Sequence, residues 1–336
     1  MFALVLALFM LAACGAEKAP EEASEPSGKE AVAVRIGTPA TGDKGARMLE
    51  CARAAAEKQY FEEELAKAGY VPEYYGFEGA GPAVNEAMIA GDLDIAIYGD
   101  MPAVVLASKF DGVKWIAMDN SAVQQGIVVQ KDSGIKSAAD LKGKKVIAET
   151  GTTCQKFLIS YLENAGLSES DIEEINATTA NAQTEFAAGA VDAVVLPCMA
   201  AYRLVNEKEV GEILVVAGNE EYLQSQYVVA ARTDFLEKHP EAAEAVIRAL
   251  IRGQEFAAEN PEQIYELFAD SRYSADVYRS VYSFDDSFAF FDPEPTEACA
   301  EKLKALVSYA LDKGLIKNSV DVDTVLDRSY YDAAVK

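Results

Sequence analysis

Residues 151–157, GTTCQKF, place a glycine, two hydroxyls and a thiol between a strand-like run (KKVIAET) and a helix-like one. Two chemistries fit such a junction. A thiol at a helix N-terminus has its pKa depressed and can act as a nucleophile, which makes Cys154 a candidate. The unsatisfied N–H groups of a helix start, at the positive end of the macrodipole, instead suit an anion. The nucleophile reading wants a base beside the thiol, and the only histidine, His239, lies in a distal helical segment. Cys51, Cys198 and Cys299 stand singly with no C-x-x-C. Four dispersed thiols and one histidine argue against a zinc site of the usual Cys/His type, and no cofactor or metal is expected.

Fifty-five acidic residues against 30 basic ones, a formal charge of −25, repel nucleic acid and anionic membrane surfaces. Half of the 336 residues are apolar, enough to build about two domains. At the N-terminus, FALVLALFMLAA is too short to span a bilayer comfortably and ends in small residues, the pattern of a signal segment over residues 1–13. Leu11-Ala12-Ala13-Cys14 has the form of a bacterial lipobox, so Cys14 is expected to carry lipid. Several acyl chains, at about 0.8 kcal/mol per buried methylene, would anchor it stably. Residues 14–32 are rich in Ala, Glu, Pro and Ser without an apolar face, and read as a solvated tether. The expected product is an exported protein anchored to the membrane through Cys14 only.

From Ala31 onward, β-branched runs alternate with helical patterns. This predicts α/β lobes of three layers with mainly parallel strands. GARMLECARAAAEKQYFEEELAKAG reads as one long helical region, and Ser168 with Asp171 forms a capping pattern. AGDLDIA (90–96) and AGAVDAV (188–194) echo one another, and Asp94 and Asp192 are expected to cap a turn or a neighbouring helix. GIVVQKD and YVVAARTD read as a pair of crossings between lobes. Tyr74, Tyr75 and Trp115 are expected in the core.

The chain resembles the substrate-binding proteins of bacterial ABC importers, in the branch associated with aliphatic sulfonates, taurine and nitrate, with related thiamine-precursor binders. The resemblance is carried by Arg35-Ile36-Gly37, GPAVNEAMIAGDLDIAIYGDMPAVV, KDSGIKSAADLKGKKVIAETGTT and FAAGAVDAVVLP, in order across residues 34–232. It implies a type II periplasmic-binding-protein fold, with two three-layer lobes, two hinge crossings and a ligand between them. Lobe 1 is expected over residues 33–128 plus 229–336 and lobe 2 over 129–228. The implied protein is a monomer that captures a small anionic solute and presents it to a permease and ATPase complex.

In such sheets ligands bind beyond the carboxyl ends of strands. The expected site is therefore Thr38, Thr41, Gly81, Gly99, Met101, Pro102, Asn120, Gly151, Thr152, Thr153, Cys154 and Pro197. Lys44 and Arg47 are solvated or pair with the anion, Asp100 salt-bridges or meets an amine, and Cys198 fills space behind Pro197. Where the family often carries Ser-Thr with a nearby His, this chain has Cys154 and Gln155. The alternatives are a cysteine-dependent desulfinase-like enzyme, a pyrimidine binder, and a sensor or matrix-interaction module on the same fold.

Overall fold

The computed structural model describes residues 31–39 and 48–336. The expected signal segment, Cys14, most of the tether, Thr41, Lys44 and Arg47 lie outside them. Strand β1 (Val32–Thr38) is followed by α1 (Glu50–Glu57), α2 (Tyr60–Lys67), β2 (Tyr70–Gly76), α3 (Ala80–Ala90), β3 (Ile95–Gly99), α4 (Asp100–Ala107) and β4 (Val113–Val123). Then come β5 (Gln125–Val129), β6 (Lys145–Ile147), α5 (Thr153–Asn164), β7 (Glu173–Ile175), α6 (Thr179–Ala187), β8 (Ala193–Pro197), α7 (Cys198–Tyr202) and β9 (Glu212–Val216). The chain ends with β10 (Ser225–Arg232), α8 (Thr233–Lys238), α9 (Pro240–Glu259), α10 (Pro261–Phe268), α11 (Ala275–Tyr282), α12 (Glu297–Asp312), α13 (Val322–Val325) and α14 (Ser329–Ala334).

Two five-stranded sheets result, in the orders β2-β1-β3-β10-β4 and β7-β6-β8-β5-β9. Each has apolar layers on both faces. In the first sheet α1, α2 and α9 pack on one side and α3, α4 and α12 on the other; in the second, α5 opposes α6 and α7. Pairing is mixed rather than mainly parallel. In each sheet β10 or β5 runs antiparallel to both neighbours, because the chain enters that sheet from the side of the junction.

The long region before Gly69 is two helices, broken at Gln59 with φ 60°. Residues 168–171 do form a capping box, on a single turn of 3₁₀-helix.

GIVVQKD and YVVAARTD do not pair with each other. They supply β5 and β10, one to each sheet. The crossings lie just before them, at Gln124 and at Gln224, so residues 125–128 sit in the second sheet and 225–228 in the first. Gln124, Gln125 and Gln226 are buried there. The Gln124 amide bonds backbone at the junction: it donates to the Ala122 and Gly218 carbonyls and accepts from Gly218 N–H at 2.7 Å.

The echo of Asp94 and Asp192 extends to their backbone bonding, which differs from capping; Asp94 adds an ion pair with the Arg35 guanidinium at 2.6 Å. Asp94 Oδ2 accepts Arg35 N–H at 2.9 Å, and Asp192 Oδ2 accepts Lys145 N–H at 2.8 Å. Each aspartate also returns its own N–H to the carbonyl of that residue, both at 3.0 Å. The carbonyls of Asp94 and Asp192 in turn accept the N–H groups of Arg232 and Gln130, where β10 and β5 end. Each aspartate thus ties the start of a central strand to both neighbours. Trp115 is buried and Tyr74 half-buried, whereas Tyr75 is 39% exposed, because β2 is an edge strand.

Candidate functional site

A cavity of about 600 Å³ opens between the carboxyl ends of the two sheets. Helices α3, α5 and α6 all begin on it, through Gly79–Gly81, Thr152–Cys154 and Thr178–Ala180. Each follows a strand-to-helix turn, so the fold aims unsatisfied N–H groups at one space.

The three starts are not equivalent. At α6, Glu149 Oε2 accepts both Thr179 N–H at 3.2 Å and its hydroxyl at 3.3 Å, so a protein carboxylate occupies that terminus. Burial pushes the Glu149 carboxyl above its ordinary range. At α5, Thr152 Oγ1 accepts Cys154 N–H at 3.2 Å while its hydroxyl donates to Glu149 O at 2.6 Å. Gly151, at φ 74°, turns the chain into this cap and donates its N–H to Gln155 Oε1 at 2.9 Å. Gln155 therefore belongs to the turn. Thr153 stays on the cavity, its hydroxyl accepting from Gln125 Nε2 at 3.2 Å. At α3, Gly79 offers no side-chain cap. Gly81 is required by a close approach: a Cβ there would stand 2.4 Å from Pro102 Cβ and Cγ.

Among the expected site residues, Gly81, Gly99, Pro102, Thr152, Thr153, Cys154 and Pro197 line the cavity. Thr38, Met101, Asn120 and Gly151 do not. Met101 is 1% exposed and packs into the core beneath α4, because the first turn of α4 points its apolar face inward. Thr38 is fully buried at the end of β1. Asn120 turns its carbonyl oxygen onto Ala122 N–H at 2.7 Å. Gly151 spends its N–H on Gln155 within the turn. Asp100 accepts Met101 N–H at 2.8 Å and Gln226 N–H at 3.0 Å, so it serves the junction.

The sequence reading missed Arg53, Glu149, Tyr227, Arg272, Tyr273 and Tyr278, all on the cavity. Arg53 donates to Tyr278 Oη at 2.5 Å and Phe268 O at 2.6 Å, and lies over the Phe268 and Tyr278 rings at 5.1 and 5.4 Å. Asp270 bonds both Arg53 and Arg272, at 3.2 and 2.8 Å. No local signal marks these residues: Arg53 looks like one charge on a helical surface, and Arg272-Tyr273 like a polar loop.

Cys154 is 4% exposed. Burial, then the Glu149 carboxylate, push its thiol up to about 12. Cys198 is likewise buried and pushed up. The single histidine is elsewhere, with Nδ1 3.2 Å from Tyr70 Oη and its ring against Phe235. Burial and the neighbouring carboxylate thus oppose the thiolate that a helix terminus favours. Among the described residues no cluster of His, Cys, Asp and Glu could hold a metal ion, and no helix is long and apolar enough to cross a membrane.

Two α/β lobes meeting at a double crossing, with helix starts converging on the space between them, define the periplasmic-binding-protein fold. Residues 52–264 match the model of the family described as NMT1/THI5 like, and the chain belongs to that family. A Bacillus subtilis (strain 168) protein named as an aliphatic sulfonates-binding protein is 28% identical over 273 residues, 80% of this chain and 77% of its own. A solved structure named as the periplasmic sulfonate-binding protein of a sulfonate ABC transporter of Methylobacillus flagellatus KT superposes with a TM-score of 0.75. It is 26% identical, over 91% of this chain and 94% of that one. A desulfurization enzyme shares the fold alone, at 14% identity and a TM-score of 0.70, over 90% of this chain and 99% of its own.

Proposed function

We propose that the protein is the extracytoplasmic solute-binding component of an ABC importer, that it takes a small organic sulfonate into the interlobe cavity, and that it hands this anion to a permease. The observation that carries the reading is the pair of helix starts, α3 and α5, that face one cavity while α6 alone is occupied by a carboxylate. Each terminus contributes about 0.3–1 kcal/mol toward an anion, and up to ~2 when partly buried. Micromolar affinity needs about 8 kcal/mol, so charge-assisted hydrogen bonds from Thr152 and Thr153 and burial of the alkyl group supply the remainder. The volume, about 600 Å³, is in the usual range for organic ligands, roughly 300–1,000 Å³. This favours a sulfonate with an organic tail over nitrate. The tyrosines and Met199 along the wall suit such a tail.

Export and anchoring through lipidated Cys14, with residues 14–32 as tether, complete the proposal. A thiol enzyme is not favoured, because Cys154 is buried, its thiol is pushed up to about 12, and the single histidine lies elsewhere. Calorimetric titration with ethanesulfonate, longer alkanesulfonates, taurine and nitrate tests the reading. Micromolar binding of an alkanesulfonate is expected, and nitrate as the tightest ligand would overturn the organic-sulfonate assignment.

A further inference from the structure

Behind the junction, away from the main cavity, lies a second one of about 200 Å³. Both lobes build it. Lys156 of α5 and Gln224 come from the side of the second sheet, and Asp100, Gln226, Ala305 and Tyr309 from the side of the first. At its edge Lys302 and Glu221 approach across the lobes to 3.7 Å.

Its polar groups are set apart in an unusual way. Asp100 and Gln226 are 3% and 1% exposed. The Lys156 ammonium bonds the Gln224 carbonyl and reaches Ser225 Oγ at 3.5 Å. It interacts with Asp100 through space without forming a direct ion pair. Gln226 donates Nε2–H to Cys299 O at 3.3 Å, but its Oε1 is buried with no protein partner, and so is the Tyr309 hydroxyl. A buried polar atom left unpaired costs about 1–3 kcal/mol. Burial also raises the Asp100 carboxyl and lowers the Lys156 ammonium from their ordinary values, so each gains from an added partner.

We infer that this cavity is a second ligand site, built for a small zwitterion whose acidic group bonds Lys156 and the Tyr309 hydroxyl and whose ammonium bonds Asp100 and Gln226 Oε1. The charges match: one half-buried cation and one buried anion call for a neutral molecule with both signs rather than a net ion. The size matches as well, since at roughly 30 Å³ per water the space equals about six or seven waters, an amino acid of the smallest kind. Because both lobes hold the occupant, it favours the lobe arrangement seen here and is coupled to whatever fills the main cavity.

Saturation-transfer NMR and calorimetry on the full chain, with glycine and β-alanine as probes, test this. Ala305→Phe, at an exposed helix position, fills the small cavity; Asp100→Asn removes the ammonium partner at constant shape; Ala180→Trp fills the main cavity. Saturation transfer to at least one probe is expected in the wild type and in Ala180→Trp, at least tenfold weaker in Asp100→Asn and absent in Ala305→Phe. No transfer to either zwitterion in the wild type would overturn the inference, leaving a water-filled space. A signal lost in Ala180→Trp and kept in Asp100→Asn would also overturn it, by placing the probe in the main cavity.

Discussion

Gly99 and Thr153 meet across the two lobes: a Cβ built on Gly99 would stand 2.6 Å from Thr153 Cγ2. The backbone of Gly99, at φ −61°, would accept alanine, so only this contact resists substitution. Overpacking of this kind costs typically about 1–3 kcal/mol. Gly99→Ala is expected to lower thermal stability moderately and to weaken cleft-ligand affinity at least tenfold, because relieving the clash moves α5 and its N-terminus away from α3. Melting curves and titration of the same sample check it; unchanged affinity would mean that the lobes adjust freely.

Thr152 joins the cap of α5 to the cavity wall through its bonds to Cys154 N–H and Glu149 O. Loss of an N-cap costs typically ~1 kcal/mol. Thr152→Ala is expected to cost about that in unfolding free energy and more than tenfold in ligand affinity. Thr152→Ser should restore most of both, measured by denaturant titration beside calorimetry.

The four cysteines among the described residues are free and buried. An aromatic disulfide reagent should therefore react slowly with all of them in the native protein and rapidly on unfolding. Cys154→Ser is expected to leave cleft-ligand affinity within about threefold. A thiol that reacts at once in native protein, or a substrate consumed by the wild type and not by this variant, would restore the enzymatic reading.

Glu50 is buried at the start of α1, and desolvation raises its carboxyl from 4.5 to about 7, opposed by the Tyr282 hydroxyl that donates to it at 2.6 Å. The folded state therefore holds this proton more tightly than the unfolded one. Its contribution to stability is complete below about pH 4.5 and is lost as pH rises through about 7. At 1.36 kcal/mol per unit the loss is at most about 3 to 4 kcal/mol. Melting temperature should fall between pH 5 and 7.5, and Glu50→Gln should flatten that fall. An identical slope in the variant would assign the pH dependence to other groups.

The repeated unit of helix, glycine and aspartate was visible in residues 90–96 and 188–194, but its purpose was not. Sequence shows an acidic residue before a strand; only the fold shows that Asp94 and Asp192 bridge to strand residues 59 and 47 positions earlier. The cleft turns at Gly81, Pro102 and Thr152–Thr153 were legible because strand-to-helix junctions leave local marks. Met101 and Asn120 were misplaced for the converse reason: a junction residue points toward the ligand or into the core, and spacing alone does not say which. Arg53, Arg272 and Tyr278 enter through contacts more than 200 residues apart in the chain, as between Arg53 and Tyr278, and nothing local announces them.

The most direct test of the central claim is an amide-resolved NMR titration with ethanesulfonate, following the backbone N–H groups of Gly81, Thr152 and Thr153. The account predicts saturable shifts at these three, largest at Thr153, with smaller changes at the crossings Gln124 and Gln224. Shifts that spare all three while the ligand binds would contradict it, because the anion would then be held by groups other than the starts of α3 and α5.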